Sequence, residues 1–210
     1  MTIAADGTAL IVIDVQNDFC PGGALAVGGG DEIVPVVNRL IATASHVVLT
    51  QDWHPAGHSS FASSHAGAAP FSTTTMPYGE QTLWPDHCVQ GTPGAEFHSG
   101  LAWTKAELVV RKGFRKGIDS YSAFFENDRT TPTGLGGSLR ERGLTRLVLC
   151  GLATDFCVAY SALDAARLGF SVSVLMDACR AIDLNGSLAE AERQMRAAGV
   201  SLTRTDAMAA

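Results

Sequence analysis

Cys157 is the best-placed nucleophile in the chain. It lies in Cys-Gly-Leu-Ala-Thr-Asp-Phe-Cys-Val over Cys150–Val158, after an apolar run at Leu147–Cys150 and at the start of a helical pattern over Phe156–Leu168. A buried strand turning into a helix leaves unpaired N–H groups at the helix start, and the helix dipole favours negative charge there. A thiol in that first turn is expected to titrate well below the roughly 8.5 of a free cysteine. Nucleophilic attack also needs a proton acceptor, a compensating cation and donors for an oxyanion. The backbone N–H groups of Ala153 and Cys157 at this elbow are the candidate oxyanion donors.

Asp14 and Lys112 are the candidate acceptor and cation. Asp14 ends the β-branched run Thr8–Val15, and Lys112 stands just after Leu108–Arg111. A carboxylate at the end of a buried strand is costly unless paired. Its plain reading is a turn cap, and a terminal lysine is usually just solvated. Together with a thiol they suit acyl transfer through a thioester followed by hydrolysis. Asp14 takes the proton if burial raises its pKa, and Lys112 offsets the charge. A carboxamide substrate would release ammonia.

A second group has metal-ligand chemistry. Asp52 and His54 follow the run His46–Thr50. At that spacing an extended backbone points both side chains to one side, where they can hold a divalent metal. His58 is open between third ligand, partner of a metal-bound water and loop histidine. His87, in Thr-Leu-Trp-Pro-Asp-His-Cys-Val-Gln-Gly-Thr-Pro-Gly ending at Gly94, is the best candidate for the third ligand. Trp84 reads either as an aromatic wall or as the anchor of its loop.

These residues need a frame. The 210 residues have 46% hydrophobic content, ample for a core. Short apolar runs at Thr8–Val15, His46–Thr50, Leu108–Arg111, Leu147–Cys150, Phe170–Leu175 and Val200–Thr203 read as strands, with helical patterns at Asp31–Ser45, Ser138–Arg142 and Phe156–Leu168. Ser187-x-x-Glu190 reads as a capping box opening a last helix, and Asp177 and Arg180 as a structural pair. Residues 59–100 form a long connection without periodicity, rich enough in aromatics to be packed. Strands alternating with helices predict an α/β fold. It is a single doubly wound domain over residues 1–210, with a six-stranded, mostly parallel sheet and helices on both faces. In such sheets the site lies beyond the carboxyl ends of the strands. Asp14, Asp52, His54, Lys112 and Cys157 share that location.

Composition narrows the partners. The net charge of −6 argues against nucleic acid or an anionic membrane. No signal peptide or membrane-length apolar run is evident, so the expected location is cytoplasmic. The five cysteines lack CxxC spacing and read as free thiols. The Gly28-Gly29-Gly30 run lacks both GxGxxG spacing and a P-loop lysine, which disfavours a nucleotide-binding reading.

The blocks Asp14-Val-Gln-Asn-Asp-Phe19, Asp52-Trp-His-Pro-x-x-His58, Trp84-Pro-Asp-His-Cys, Lys112-Gly, Tyr121-Ser-x-Phe and Gly-Leu-Ala-Thr-Asp-Phe-Cys-Val158 resemble, in order and over nearly the whole chain, the isochorismatase-like cysteine hydrolases. The Asp52/His54 and His87 blocks resemble in particular the metal-dependent nicotinamidase and pyrazinamidase branch. The resemblance implies a catalytic set of Asp14, Lys112 and Cys157 and metal ligands Asp52, His54 and His87. It implies a ring pocket of Phe19, Trp84 and Tyr121 with His58 nearby, and a cis peptide between Leu152 and Ala153. The implied metal orients the pyridine nitrogen, and a mixed Asp/His set suits zinc, iron or manganese. The implied partner is a small-molecule substrate, nicotinamide or a close analogue, and the implied role is NAD salvage. A homo-oligomer is compatible with all of this. Phe156, beside the nucleophile, is expected to affect substrate range.

Two other readings compete. A sister hydrolase of the same fold, acting on a carbamoyl or ureido substrate, would need no pyridine-binding metal. A metal- and thiol-bearing binding or redox-sensing protein would show no turnover, and the absence of a resolving cysteine weighs against it.

Overall fold

The computed structural model describes residues 3–207. Six parallel strands make the sheet: β1 Thr8–Ile13, β2 Val47–Asp52, β5 Leu108–Lys112, β6 Arg146–Leu152, β7 Ser171–Arg180 and β8 Ser201–Thr203. Their order is β5-β2-β1-β6-β7-β8. β1 and β2 are buried at every position, which explains why they read as continuous apolar runs rather than alternating ones. The helices are α1 Val34–Thr43, α2 Leu135–Glu141, α3 Ala159–Arg167 and α4 Ser187–Ala197.

The chain builds outward from β1 through β2 to β5, then returns to β6 and builds outward the other way. The strand order therefore reverses between β1 and β6, the position where doubly wound sheets place their ligands. Asp14 follows β1 directly. Cys157 follows β6 in a π-helical turn, Thr154–Val158, that continues into α3. Gly151 permits the close approach of these two strands, because its φ is 125° and a Cβ there would lie 2.1 Å from the Ile13 carbonyl oxygen.

Three local expectations are corrected. The connection over residues 59–100 contains a hairpin, β3 Thr73–Met76 paired antiparallel with β4 Gly79–Thr82. The short strands are largely polar on both faces, so no apolar alternation marked them. Ser187 is not a cap: Gly186 holds that position and the Ser187 hydroxyl donates to Asp155 Oδ2 at 2.5 Å. Glu190 instead binds Arg193 and Gln194 on its own helix. Asp177 and Arg180 do not pair. Asp177 accepts from the Thr205 amide and hydroxyl, while Arg180 reaches Glu32. All five cysteines are buried and free, and among the described residues no helix is long and apolar enough to cross a membrane.

Candidate active site

Cys157 is one of the residues around a small cleft. Phe19, Leu25, Asp52, Trp84, His87, Asp119, Tyr121, Ala153, Phe156, Cys157 and Ile182 line it. Cys157 is 6% exposed. The Leu152–Ala153 peptide is cis, as the resemblance implies. The Ala153 carbonyl accepts from the Phe156 and Val158 amides, whereas its own N–H has no partner among the described residues.

Lys112 organises the charges. It is fully buried, and its Nζ lies 2.8 Å from Asp14 Oδ2, 2.5 Å from Asp52 Oδ1, 2.9 Å from the Ser120 carbonyl and 3.4 Å from Cys157 Sγ. Burial opposes its charge, but Asp14 and Asp52 outweigh that and hold the ammonium pKa well above the ordinary range. Thr50 fixes Asp14: its hydroxyl donates to Asp14 Oδ1 at 2.6 Å and accepts from the Asp14 amide at 3.1 Å. Burial pushes the Asp14 carboxyl up, against the pull of Lys112. Asp52 goes the other way. Burial raises it, yet Lys112 and His54 hold it well below the carboxylate range.

The thiol departs from its expected state. Burial pushes the Cys157 pKa well above that of a free cysteine, Lys112 opposes this, and Asp14 and Asp52 add to it. The elbow alone predicted the reverse. Desolvation and two carboxylates, both brought in by other strands, outweigh the helix start. An acceptor lies beside the sulfur: one oxygen from each of Asp14 and Asp52 lies within 4.8 Å of Cys157 Sγ and of the other.

Asp52, His54 and His87 come together beside this group. Their ligand atoms lie within 4.8 Å of one another, with Asp52 Oδ2 at 3.6 Å from His54 Nε2 and 3.8 Å from His87 Nε2. The donor set fits a divalent cation. Each imidazole has its Nδ1 at a backbone carbonyl, His54 at Gly113 O (2.9 Å) and His87 at Pro85 O (2.8 Å). That contact fixes the tautomer and leaves Nε2 as the ligand atom. Gly113, at φ 65°, makes room for the ring, since a Cβ there would lie 2.4 Å from His54 Cε1.

His58 is placed differently from the expectation that it meets substrate. It does not line the cleft but packs behind His54, ring centroids 4.5 Å apart. Its Nε2 donates to the Arg115 carbonyl at 2.9 Å, and its Nδ1 sits 2.8 Å from Ser60 Oγ. With both nitrogens engaged, it secures the loop that carries Gly113. The aromatic wall is tighter than the sequence suggests. Trp84 meets Phe156 edge-on at 4.9 Å, Tyr121 meets Phe156 at 5.7 Å, and Trp84 Nε1 donates to the Tyr121 hydroxyl at 3.0 Å.

Two residues at or beside the cleft escaped the sequence reading. Gln16 ties the ends of β1 and β2 together: its Nε2 donates to the Asp52 and Ala95 carbonyls, and its Oε1 accepts from the Asp52 amide. Its only signal was a polar side chain directly beyond a buried strand. Asp119, a cleft-lining carboxylate, had none, because its neighbours in sequence offer no ligand spacing.

A buried thiol with a carboxylate and a lysine at a switch point is the equipment of a cysteine-dependent hydrolase. The chain belongs to the isochorismatase family, whose isochorismatase domain matches residues 8–207. It is similar to the nicotinamidase of Acinetobacter baylyi, 56% identical over 196 residues, which covers 93% of this chain and 92% of the relative. Among solved structures, the Acinetobacter baumanii nicotinamidase pyrazinamidase is 53% identical with a TM-score of 0.95, covering 96% of this chain and 98% of that one. PnC1 from L. infantum, in complex with nicotinate, is 37% identical with a TM-score of 0.86 over 100% and 99% of the two chains.

Proposed function

We propose that this chain is a nicotinamidase, acting as one isochorismatase-like domain. It converts nicotinamide to nicotinate and ammonia through a thioester on Cys157, treats pyrazinamide likewise, and serves NAD salvage. The observation that carries this reading is the position of Asp52. One oxygen pairs with Lys112 in the catalytic group and the other faces the two histidines, so the thiol and the cation site share one cleft. The nicotinamidases among its relatives and the nicotinate in the L. infantum structure favour it over a carbamoyl or ureido substrate.

The Cys157 sulfur attacks the amide carbonyl carbon as its proton passes to Asp14. The oxyanion accepts hydrogen bonds from the Ala153 and Cys157 amides. Asp14 returns the proton to the amide nitrogen, the C–N bond breaks and ammonia leaves. Water then attacks the thioester and Asp14 takes one of its protons; the C–S bond breaks, Asp14 returns that proton to sulfur to restore the thiol, and the acid loses its own proton to solvent as nicotinate. A carboxyl raised by burial suits both directions of transfer. Lys112 stays charged throughout and balances the anion that moves between Asp14, sulfur and substrate. Phe19, Trp84, Tyr121 and Phe156 close around the flat ring. Asp52, His54 and His87 would hold a divalent cation, which when bound would supply a Lewis-acid anchor for the ring nitrogen.

The test is ammonia release from nicotinamide by wild type, Cys157→Ala and chelator-stripped protein. Wild type is expected to turn over, and the other two are not. Activity in Cys157→Ala would sink the thioester mechanism, and activity surviving verified metal removal would sink the role of Asp52, His54 and His87.

A further inference from the structure

Asp119 stands in the same cleft and has no role in the reaction as derived. It is 2% exposed and lines the cleft beside Asp52, His87 and Cys157. Its Oδ1 accepts from the Ser120 amide at 2.8 Å, and its Oδ2 accepts from Gln81 Nε2 at 3.1 Å. Among the described residues no lysine or arginine pairs with it. Its nearest basic group is His54, whose Nε2 lies 4.0 Å from Oδ1.

Two arguments converge on this carboxylate. The first is charge. Asp14, Asp52 and Asp119 are all nearly or fully buried, and Lys112 is the one buried cation among them. Three carboxylates against one ammonium leave an excess that a low-dielectric site tolerates poorly. A divalent cation brings it to balance. The second is distance. A 4.0 Å gap is too long for a direct hydrogen bond, yet it puts Oδ1 within reach of a water carried by a cation on Nε2. His54 Nε2 is the atom assigned to the cation, so a water on that cation has an acceptor in Asp119.

We propose that Asp119 is an outer-sphere member of the cation site, a positioning residue that holds a water of the bound cation and raises the site's affinity. This rests on the reading of Asp52, His54 and His87 as ligands. It goes beyond that set by assigning a third carboxylate, carried on the loop after β5.

The alternative is that Asp119 only orients Gln81, whose Nε2 also donates to the Tyr121 hydroxyl at 2.8 Å. That role would move KM through the ring pocket and leave the cation alone. The deciding experiment titrates metal-free wild type and Asp119→Asn with Co2+ against a competing chelator, reading stoichiometry, affinity and the visible absorption of the bound ion. The expected result is one ion per chain in both, affinity lowered about 10- to 100-fold in Asp119→Asn, and a shifted absorption band. The metal-free variant should unfold at a temperature no lower than wild type, since a buried charge has gone. Affinity within about twofold of wild type and an unchanged spectrum would overturn the proposal. Asp119→Ala replaces Asp119→Asn if that variant does not fold. Asp52→Asn and His87→Ala run alongside. If wild type itself takes up no ion, the ligand reading fails. If wild type binds, these two do not, and Asp119→Asn matches wild type, the failure is that of Asp119 alone.

Discussion

Asp52 and Lys112 are partners twice over. They are register neighbours at the carboxyl ends of β2 and β5, and their side chains meet with Nζ 2.5 Å from Oδ1. Sheet pairing thus delivers the ammonium to a carboxylate whose second oxygen faces the histidines. Removing Lys112 would leave Asp14 and Asp52 confronting each other without a cation. Lys112→Met is expected to lose turnover and about 3–5 kcal/mol of stability, measured by urea unfolding. A loss under about 1 kcal/mol would show that the pair is not the organising contact.

Thr50 is the second fixed point of Asp14. Thr50→Val keeps the shape but removes a donor and an acceptor from a buried carboxylate and its amide. The expected cost is about 1–3 kcal/mol of stability. The fall should appear in kcat with KM little changed, because Thr50 aims the proton acceptor and does not line the cleft. A change confined to KM would contradict this.

Gly113 serves His54. A methyl group there would overlap the imidazole at Cε1 and Nδ1, and the φ of 65° disfavours any side chain. Gly113→Ala is expected to weaken divalent-metal binding about 10- to 100-fold, the usual effect of losing a ligand's supporting contact. Metal titration by calorimetry checks this, and wild-type affinity would mean that His54 is not held by that contact.

Glu126 offers a pH signature away from the cleft centre. It is buried, one of its oxygens meets Arg115, and Oε2 has no hydrogen-bond partner among the described residues. Burial raises its pKa, against the pull of Arg115. A raised carboxyl pKa means that the folded chain keeps the proton while the unfolded chain has released it. This group therefore costs stability as pH climbs above the unfolded value, and costs nothing below both values. Glu126→Gln is expected to raise the urea midpoint at pH 7 and to match wild type under acid conditions. A lower midpoint at pH 7 would show that the Arg115 pair dominates instead.

Phe156 closes the aromatic wall against Trp84 and Tyr121. Ring contacts of this kind contribute about 0.5–1.5 kcal/mol. Phe156→Ala should raise KM for nicotinamide roughly 2- to 10-fold and admit bulkier amides. Unchanged KM would place the ring elsewhere in the cleft.

The six strands of the main sheet and the elbow at Cys157 were legible because each depends on neighbours in sequence. An apolar run such as Leu10–Ile13 can only be buried, and a strand followed by a helical pattern must turn at Ala153. The carboxyl-end rule then gathered Asp14, Asp52, His54, Lys112 and Cys157 without any coordinates. His87 was legible as a histidine in a constrained loop, though not the hydrogen bond that turns its Nε2 toward Asp52.

Other features depended on residues distant in sequence. The raised thiol, the twofold use of Asp52, the placement of His58 behind His54 and the presence of Asp119 in the cleft all come from side chains on separate elements. Local pattern reports which groups a chain carries and roughly where each element ends. Protonation and ligation depend on through-space distance and on exclusion of water, and only the closed sheet with its packed loops sets those quantities. The sequence by itself determined the fold class and which polar groups stand at the strand ends; the tertiary structure decided how close those groups come and how far water is excluded from them.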